Sequence, residues 1–327
     1  MKQRIAHYDF LFGIMLLFII HHHLCGWCGF YSKDDLLGAP IHSIPYKLLY
    51  FYIAYFFYKA GIFYSPKKEW NKVFLDSLKR LLVPYFIFTF IGYALFGADN
   101  SILSVDYWWY LCRQMVTSGS VDGNAPMWFL LSLFFVRVIF QTAKDRLPMQ
   151  IFWVVVGACI AIIGYLFAIR PRYVSTISMG LVLYGLGYLL REKQYNKYVG
   201  IGALFIYLLS LFIPSVVDFR FNTLVDGYYA IWAVGSICAC VWLSYMIRPV
   251  AKIACFLPWI GRNTMPFLCT HALVYEAMHI LVYPHFSISA HLMLFIDWIC
   301  IFIVCGGLTF IYQNRYFYWI FGEKKPC

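Results

Sequence analysis

The chain has 327 residues, of which 62% are hydrophobic and 13% are charged. A soluble domain carries about 45–50% apolar and about 25% charged residues, so this composition excludes an ordinary soluble protein. The formal net charge of +11 does not indicate a nucleic-acid-binding protein, because the basic residues are scattered through short loops between apolar segments.

Long apolar segments recur along the whole chain, each near the length of about 20 residues that a helix needs to cross a bilayer. They lack the alternation of polar and apolar residues that transmembrane strands show. We therefore predict an all-α integral membrane protein, a bundle of about ten transmembrane helices that forms a single polytopic domain over residues 1–327. The predicted spans are 9–30, 45–64, 81–98, 126–143, 150–169, 174–190, 198–214, 227–247, 264–283 and 291–313.

The first apolar segment runs past the usual 7–15 apolar residues of a signal peptide and lacks its small-residue cleavage pattern. We therefore expect this segment to stay in the protein. Lysines and arginines concentrate in the loops that share a side with the N-terminus. Because basic residues favour the cytoplasmic side in short loops, both termini are predicted to be cytoplasmic.

The first span contains the sequence IIHHHLCGWCGF at residues 19–30, and an ionisable residue inside a span is by default a functional candidate. Asp9 and His23 are close to four helical turns apart and share one face, whereas His21 and His22 point elsewhere. The side chains of the three histidines therefore point in different directions. A structural zinc ion needs four ligands that converge on it, so this run of histidines does not predict a zinc site. His23 is either a general base or a core histidine bonded between helices, and the pattern alone does not decide.

Cys25 and Cys28 have the CxxC spacing of thioredoxin-like redox sites. That chemistry needs a βαβ context, and here the motif ends a membrane helix, so we do not expect redox catalysis. Most of the eleven cysteines lie in apolar stretches, where a free cysteine behaves as a small hydrophobe. The alternative is a disulfide bond between Cys25 and Cys28 in an oxidising exterior.

The ninth predicted span holds three ionisable residues. Glu276 and His279 are i,i+3 neighbours and can pair, as a structural contact or as a proton relay. His271 lies nearer the middle of the membrane. Asn263 and Thr264 have the residue types that begin a helix.

Two loops offer further candidates. Tyr107–Tyr110 places four adjacent aromatic residues in the predicted outer loop, as an interfacial belt or as a stacking surface for a ligand. The loop over residues 65–85 is basic, which suits attraction to anionic lipid or binding of a phosphorylated donor. Its basic residues are Lys67, Lys68, Lys72, Lys79 and Arg80.

Several of these segments, in order along the chain, resemble the membrane acyltransferase 3 family, and most closely its branch of fucose and capsular-polysaccharide O-acetylases. In the first helix, Arg4, Asp9, Gly13 and His23 fit the family pattern, which selects His23 among the three histidines. The other similar segments are YFFYKAGIFY (55–64), LKRLLVPY (78–85), MWFLLSLFFVR (127–137) and IGRNTMPFLCTHALV (260–274). The chain departs from the family at Phe12 and Ser77, where basic residues are usual.

The resemblance implies a multi-span O-acyltransferase of a bacterial inner membrane. It would move an acyl group, acetyl by default, from cytosolic acyl-CoA to a hydroxyl of a cell-surface or lipid-linked glycan. Acetyl-CoA is then the co-substrate, and no metal is expected because the thioester is already activated. Membrane lipids and the glycan acceptor are the other expected partners, with no nucleic acid.

In this interpretation His23 is the general base. Asp9 orders the cytoplasmic end of a polar path through the helix bundle. Acyl-CoA is bound by cations that hold its phosphates as point charges or bidentate forks. The residues expected to bind it are Lys72, Lys79 and Arg80, and those expected to line the site are Asn263, Thr264, His271, Glu276 and Trp128.

Two other classes of function stay open. One is a polysaccharide exporter or flippase, in which His23 would be expendable. The other is a proton-coupled transporter that uses Glu276, His279 and Asp297. A transporter of this kind predicts inverted repeats, and the sequence does not display them.

Overall fold

The computed structural model describes residues 6–30, 48–97, 104–168, 172–213, 215–250, 256–312 and 318–321. Its α-helices are α1 (Ala6–Trp27), α2 (Tyr52–Ile62), α3 (Trp70–Ser77), α4 (Val83–Phe96), α5 (Val105–Ser118), α6 (Trp128–Phe140), α7 (Leu147–Phe167), α8 (Arg172–Leu189), α9 (Lys197–Phe212), α10 (Tyr229–Val250), α11 (Phe256–Arg262), α12 (Thr264–Ala277) and α13 (Ala290–Tyr312). Turns of π-helix at Leu78–Leu82 and Met278–Val282 follow α3 and α12.

Seven helical stretches of the described chain are long and apolar enough to cross a membrane. They are Tyr8–Trp27, Trp70–Phe96, Ala125–Ala143, Leu147–Phe167, Tyr229–Met246, Thr264–His285 and Ala290–Ile311. The prediction of an all-α, multi-pass membrane protein is therefore confirmed.

The predicted count of about ten spans is not confirmed. Tyr173–Leu189 and Lys197–Phe212 are apolar but shorter than the other stretches, and α2 has 11 residues. Residues 1–5 and 322–327, on which the predicted orientation of the termini depends, lie outside the described residues, as does Arg4 of the first-helix pattern.

Two predicted outer loops contain regular structure that the hydropathy pattern did not reveal. Helix α5 begins where the Ser104 hydroxyl accepts a hydrogen bond from the Asp106 backbone amide, and it ends at Gly119 with a φ of 66°. These are the usual capping signals, and α5 is too short and too polar to register as a span. The loop before α10 forms an antiparallel hairpin of β1 (Val216–Asp218) and β2 (Thr223–Asp226).

The chain forms two compact units. The first comprises Met1–Met15, Lys47–Leu75 and Ser132–Arg262. Within it α8 packs against α2 and α7, and α9 packs against α10.

Glycines let α2 and α8 of the first unit approach backbone to backbone. A Cβ built on Gly61 would lie 1.8 Å from the carbonyl oxygen of Tyr184, and one on Gly187 would lie 2.0 Å from that of Tyr58. Small residues serve this purpose in membrane helices, where van der Waals packing holds helices together.

The second unit comprises Leu16–Tyr46, Asp76–Leu131 and Asn263–Cys327. Within it α12 packs against both α4 and α13. This unit therefore contains the C-terminal part of α1, with its three histidines, together with the helices of the ninth and tenth predicted spans.

Gly61→Ala is expected to lower the stability of the detergent-solubilised protein by at least about 1–3 kcal/mol, because the new methyl group meets the Tyr184 backbone. Gly202→Ala in α9 is the matched control, since a Cβ there meets nothing within 4 Å. That change is expected to be neutral or to stabilise by up to about 1 kcal/mol. Thermal unfolding compares the variants, and equal midpoints would contradict the close packing of α2 on α8.

Candidate functional site

Two histidines that lie 248 residues apart meet in the second unit. Nδ1 of His23, on α1, is 3.0 Å from Nε2 of His271, on α12. The two rings are nearly parallel, with an interplanar angle of 5°. His271 is fully buried, whereas His23 is partly buried. The sequence singled out each residue, and the structure shows that they form a pair.

The partners of His271 determine which ring nitrogens carry protons. Its Nδ1 is 2.7 Å from the carbonyl oxygen of Phe267, and a carbonyl oxygen only accepts hydrogen bonds. Nδ1 of His271 is therefore the protonated nitrogen, and Nε2 of the neutral ring accepts. Nδ1 of His23 consequently donates to it, which leaves the lone pair of a neutral His23 ring on Nε2.

Aromatic rings adjoin the histidine pair. The ring of Tyr275 lies edge-on to both, with centroids 6.4 Å from His23 and 6.2 Å from His271. The ring of Trp27 is in turn 5.4 Å from that of Tyr275. The pair therefore lies beside apolar surface, where electrostatic interactions are stronger than in water.

A buried asparagine ties α4 to α12 close to His271. The Nδ2 amide of Asn124 donates to the carbonyl oxygens of Phe88, at 3.2 Å, and Cys269, at 2.9 Å. Gly92 permits this approach, because a Cβ there would lie 2.6 Å from Cβ of Asn124. Sequence analysis missed Asn124, since a Gly-Asn pair in a loop is typical of an exposed turn.

The other two histidines of the first span have different surroundings. His21 Nε2 is 3.4 Å from Cys25 Sγ, and the His21 ring stacks on Trp298 at 6.1 Å. His22 and His23 have rings tilted by 48° to one another. The three rings thus diverge, as helical geometry predicts.

Asp9 belongs to the first unit, whereas His23 belongs to the second. The backbone of Asp9 packs closely on α11, since a Cβ on Gly261 would lie 1.7 Å from the Asp9 carbonyl oxygen. Nothing in the described contacts brings the Asp9 carboxylate to the histidine pair.

At position 12, where the resemblance leads one to expect a basic residue, the ring of Phe12 holds a cation instead. The ammonium of the buried Lys59 lies 3.0 Å from the centroid of that ring and donates to the carbonyl oxygen of Tyr8 at 2.8 Å. A lysine from α2 therefore places positive charge beside Phe12 through a cation–π contact.

The cationic side chains that are predicted to bind the acyl donor have two different kinds of surroundings. Lys79 and Arg80 are exposed on the π-helical turn that leads into α4, in the second unit. Turns of π-helix are frequent at functional sites. Lys72 lies in the first unit and forms an exposed ion pair with Glu69 at 2.9 Å.

The remaining predicted lining residues are not brought to the histidine pair by any described contact. Asn263 precedes α12 as predicted, but its side chain makes no capping hydrogen bond to the helix. Trp128 begins α6 and is 8% exposed, and Thr264 and Glu276 are partly buried on α12.

His279 forms its ion pair with a residue that the sequence analysis did not assign to it. Its Nε2 is 3.0 Å from Oδ2 of Asp297 on α13, so its ion-pair partner among the described residues is Asp297 rather than Glu276. The π-helical turn at Met278–Val282 changes the helical phase at this position. Asp297 also accepts a hydrogen bond from the Tyr283 hydroxyl at 2.7 Å.

No model of a known protein family matches the chain, and no curated protein or solved structure matches it. Function is therefore inferred from the residues and their geometry.

Asn124→Asp is expected to destabilise the protein more than Asn124→Ala, although Asp has nearly the shape of Asn. The alanine variant loses the two hydrogen bonds of the amide, at about 0.5–1.5 kcal/mol for each bond. The aspartate variant adds a buried carboxylate that faces those oxygens. Thermal unfolding in detergent provides the comparison, and an aspartate variant as stable as wild type would contradict the donor role of the amide.

Proposed function

We propose that this protein is a membrane O-acyltransferase. It moves an acyl group, by default acetyl, from cytosolic acyl-CoA to a hydroxyl of a cell-surface or lipid-linked glycan. The observation that carries the proposal is the hydrogen bond between His23 and His271, which leaves Nε2 of His23 as a basic nitrogen. The resemblance of several segments to membrane acyltransferases supplies the substrate class.

His23 acts as the general base of the transfer. Its Nε2 takes the proton of the acceptor hydroxyl while the hydroxyl oxygen attacks the thioester carbonyl. The new C–O bond forms, the C–S bond breaks, and the proton passes from His23 to the departing thiolate of CoA. The products are an ester and neutral CoA thiol, so His23 returns to its starting state without an external proton source.

His271 is a positioning residue in this mechanism. By accepting from Nδ1 of His23 it holds the ring in the tautomer whose lone pair is on Nε2, and it stabilises the imidazolium that forms during transfer. The carbonyl oxygen of Phe267 fixes His271 in turn. A neutral imidazole stabilises the cation less than a carboxylate does, but it avoids burying an unpaired charge among apolar helices.

Acyl-CoA is held by the cations that precede α4. Lys79 and Arg80 suit the phosphates of CoA, since arginine binds them in a bidentate manner and lysine as a point charge. Arg80 and Phe88 are separated by about 12 Å of helix. The Asn124 amide joins Phe88 to Cys269, two residues before His271. Phosphate-binding and basic groups therefore lie on connected elements of one unit.

The setting of the reaction follows from its substrates. Acyl-CoA is cytosolic and the glycan is extracytoplasmic, so we place the protein in a bacterial inner membrane with ten spans and both termini in the cytoplasm. The positive charge of Lys72 is partly offset by its exposed ion pair with Glu69.

His23→Ala is expected to lower the transfer rate by about 10²–10⁴-fold, because it removes the general base. His21→Ala is the matched control, as His21 contacts Cys25 and Trp298 instead. The measurement is the base-labile acyl content of surface polysaccharide in a deletion strain complemented with each variant. Normal ester content with His23→Ala would contradict the proposal, and missing surface glycan in the deletion strain would favour an exporter.

Joint substitution Lys79→Ala and Arg80→Ala is expected to raise the KM for acyl-CoA by at least about tenfold with little change in kcat, because charge-assisted bonds to phosphate are lost. Lys72→Ala should have a smaller effect. Steady-state kinetics in membrane vesicles separates the two parameters. An unchanged KM in the double variant would remove these residues from donor binding.

A further inference from the structure

A second group of chemically reactive side chains lies in the same unit, outside the histidine pair. It consists of Cys28, His279 and Asp297, and their ligand atoms all lie within 4.8 Å of one another. Cys28 directly follows the last residue of α1, His279 lies in the π-helical turn after α12, and Asp297 lies on α13. We name these three residues the CHD cluster.

The CHD cluster contains a carboxylate in a costly position. Asp297 is fully buried in a long apolar helix, and a carboxylate there needs a compensating positive charge. Tyr283 donates to its Oδ1 at 2.7 Å, whereas Oδ2 faces Nε2 of His279 at 3.0 Å. The Cys28 thiol donates a weak hydrogen bond to the same Oδ2 at 4.0 Å. A thiol, an imidazole and a hydroxyl group therefore converge on one buried carboxylate.

Imidazole nitrogen, thiolate sulfur and carboxylate oxygen are the three ligand types that Zn²⁺ takes in proteins. Ligands about 2.0–2.3 Å from a tetrahedral zinc lie roughly 3.3–3.8 Å apart. The separations of 3.0 and 4.0 Å in the CHD cluster fall on either side of this range. One thiolate, one carboxylate and one neutral imidazole also balance the charge of Zn²⁺, so the loaded site would bury no net charge.

We propose that Cys28, His279 and Asp297 bind Zn²⁺ with three protein ligands and a fourth position taken by water. The Tyr283 hydroxyl orients the Asp297 carboxylate, as outer hydrogen bonds commonly do for metal ligands. Cys25 is not a ligand, because its sulfur lies beside His21 instead. The CxxC spacing therefore contributes one ligand rather than two.

The ion would join the end of α1 to the π-helical turn and to α13. The ring of Trp27, next to Cys28, lies 5.5 Å from that of His279 and 5.4 Å from that of Tyr275. Tyr275 in turn adjoins His23 and His271. Zinc would hold the part of α1 that carries His23 against the π-helical turn and α13. The site does not depend on the proposed acyl transfer, and metal binding is measured without it.

The test uses the full chain, purified in detergent with a tag free of histidine and stripped by a chelator. Wild type is expected to bind one equivalent of Co²⁺ with a thiolate-to-cobalt charge-transfer band, which Zn²⁺ then removes. Cys28→Ser should abolish the band and weaken Zn²⁺ binding by more than about 100-fold, since even outer partners of a metal site cost 10–100-fold. Tyr283→Phe should weaken it by about 10–100-fold. Cys25→Ser is the matched control and should bind as wild type does.

Absence of bound metal in wild type would overturn the proposal, and so would a band that survives in Cys28→Ser. If the Cys28→Ser variant does not fold, the thermal stability of the wild-type protein alone tests the proposal. Zn²⁺ should raise its thermal midpoint and a chelator should reverse the rise, because a ligand that binds the folded state stabilises it. No reversible shift would overturn the proposal in that case.

Discussion

A chain of hydrogen bonds between buried polar groups connects the helices of the second unit of this protein. Hydrocarbon offers no hydrogen bonds, so a polar group inside the bundle is stabilised by a partner within the protein. The carbonyl oxygen of Phe267 accepts from His271, and His271 accepts from His23. Each bond fixes the tautomer of the next ring. The order of these bonds, rather than the presence of histidines alone, makes Nε2 of His23 the basic nitrogen.

The same constraint explains the supporting elements. Asn124 is buried in a loop, where its amide donates to carbonyl oxygens of both α4 and α12. Asp297 is accommodated on α13 because His279 and Tyr283 meet both carboxylate oxygens. The proposed zinc ion extends this logic, since it would neutralise the CHD cluster and anchor the end of α1. The proposed acyl transfer and the proposed metal site would then involve neighbouring parts of one unit, with different residues for each.

Sequence reasoning located the apolar helices and placed His23 and His271 among the candidates, because hydropathy and ionisable residues in spans are local signals. The family resemblance then selected His23 among the three histidines. Sequence reasoning did not predict that His23 and His271 meet. Hydrophobic periodicity shows which residues share a face of one helix, but it does not show which other helix packs against that face. The count of about ten spans stays a prediction, because hydropathy does not decide whether helices as short as α2 cross a membrane. Sequence reasoning found Glu276 as a neighbour of His279, but not Asp297, which lies on another helix and forms the ion pair. Cys28 was set aside with Cys25 because a CxxC motif at the end of a membrane helix lacks the βαβ context of redox sites.

A double-mutant cycle on His23 and His271 tests the central claim most directly. Transfer of labelled acetyl from acetyl-CoA to acceptor glycan would be measured in membranes that contain His23→Ala, His271→Ala or both. If His271 acts through His23, the double variant is no slower than His23→Ala, because residues that act as a unit are not additive. If the two losses multiply, the histidines act independently, and the account of a base positioned by its neighbour is wrong.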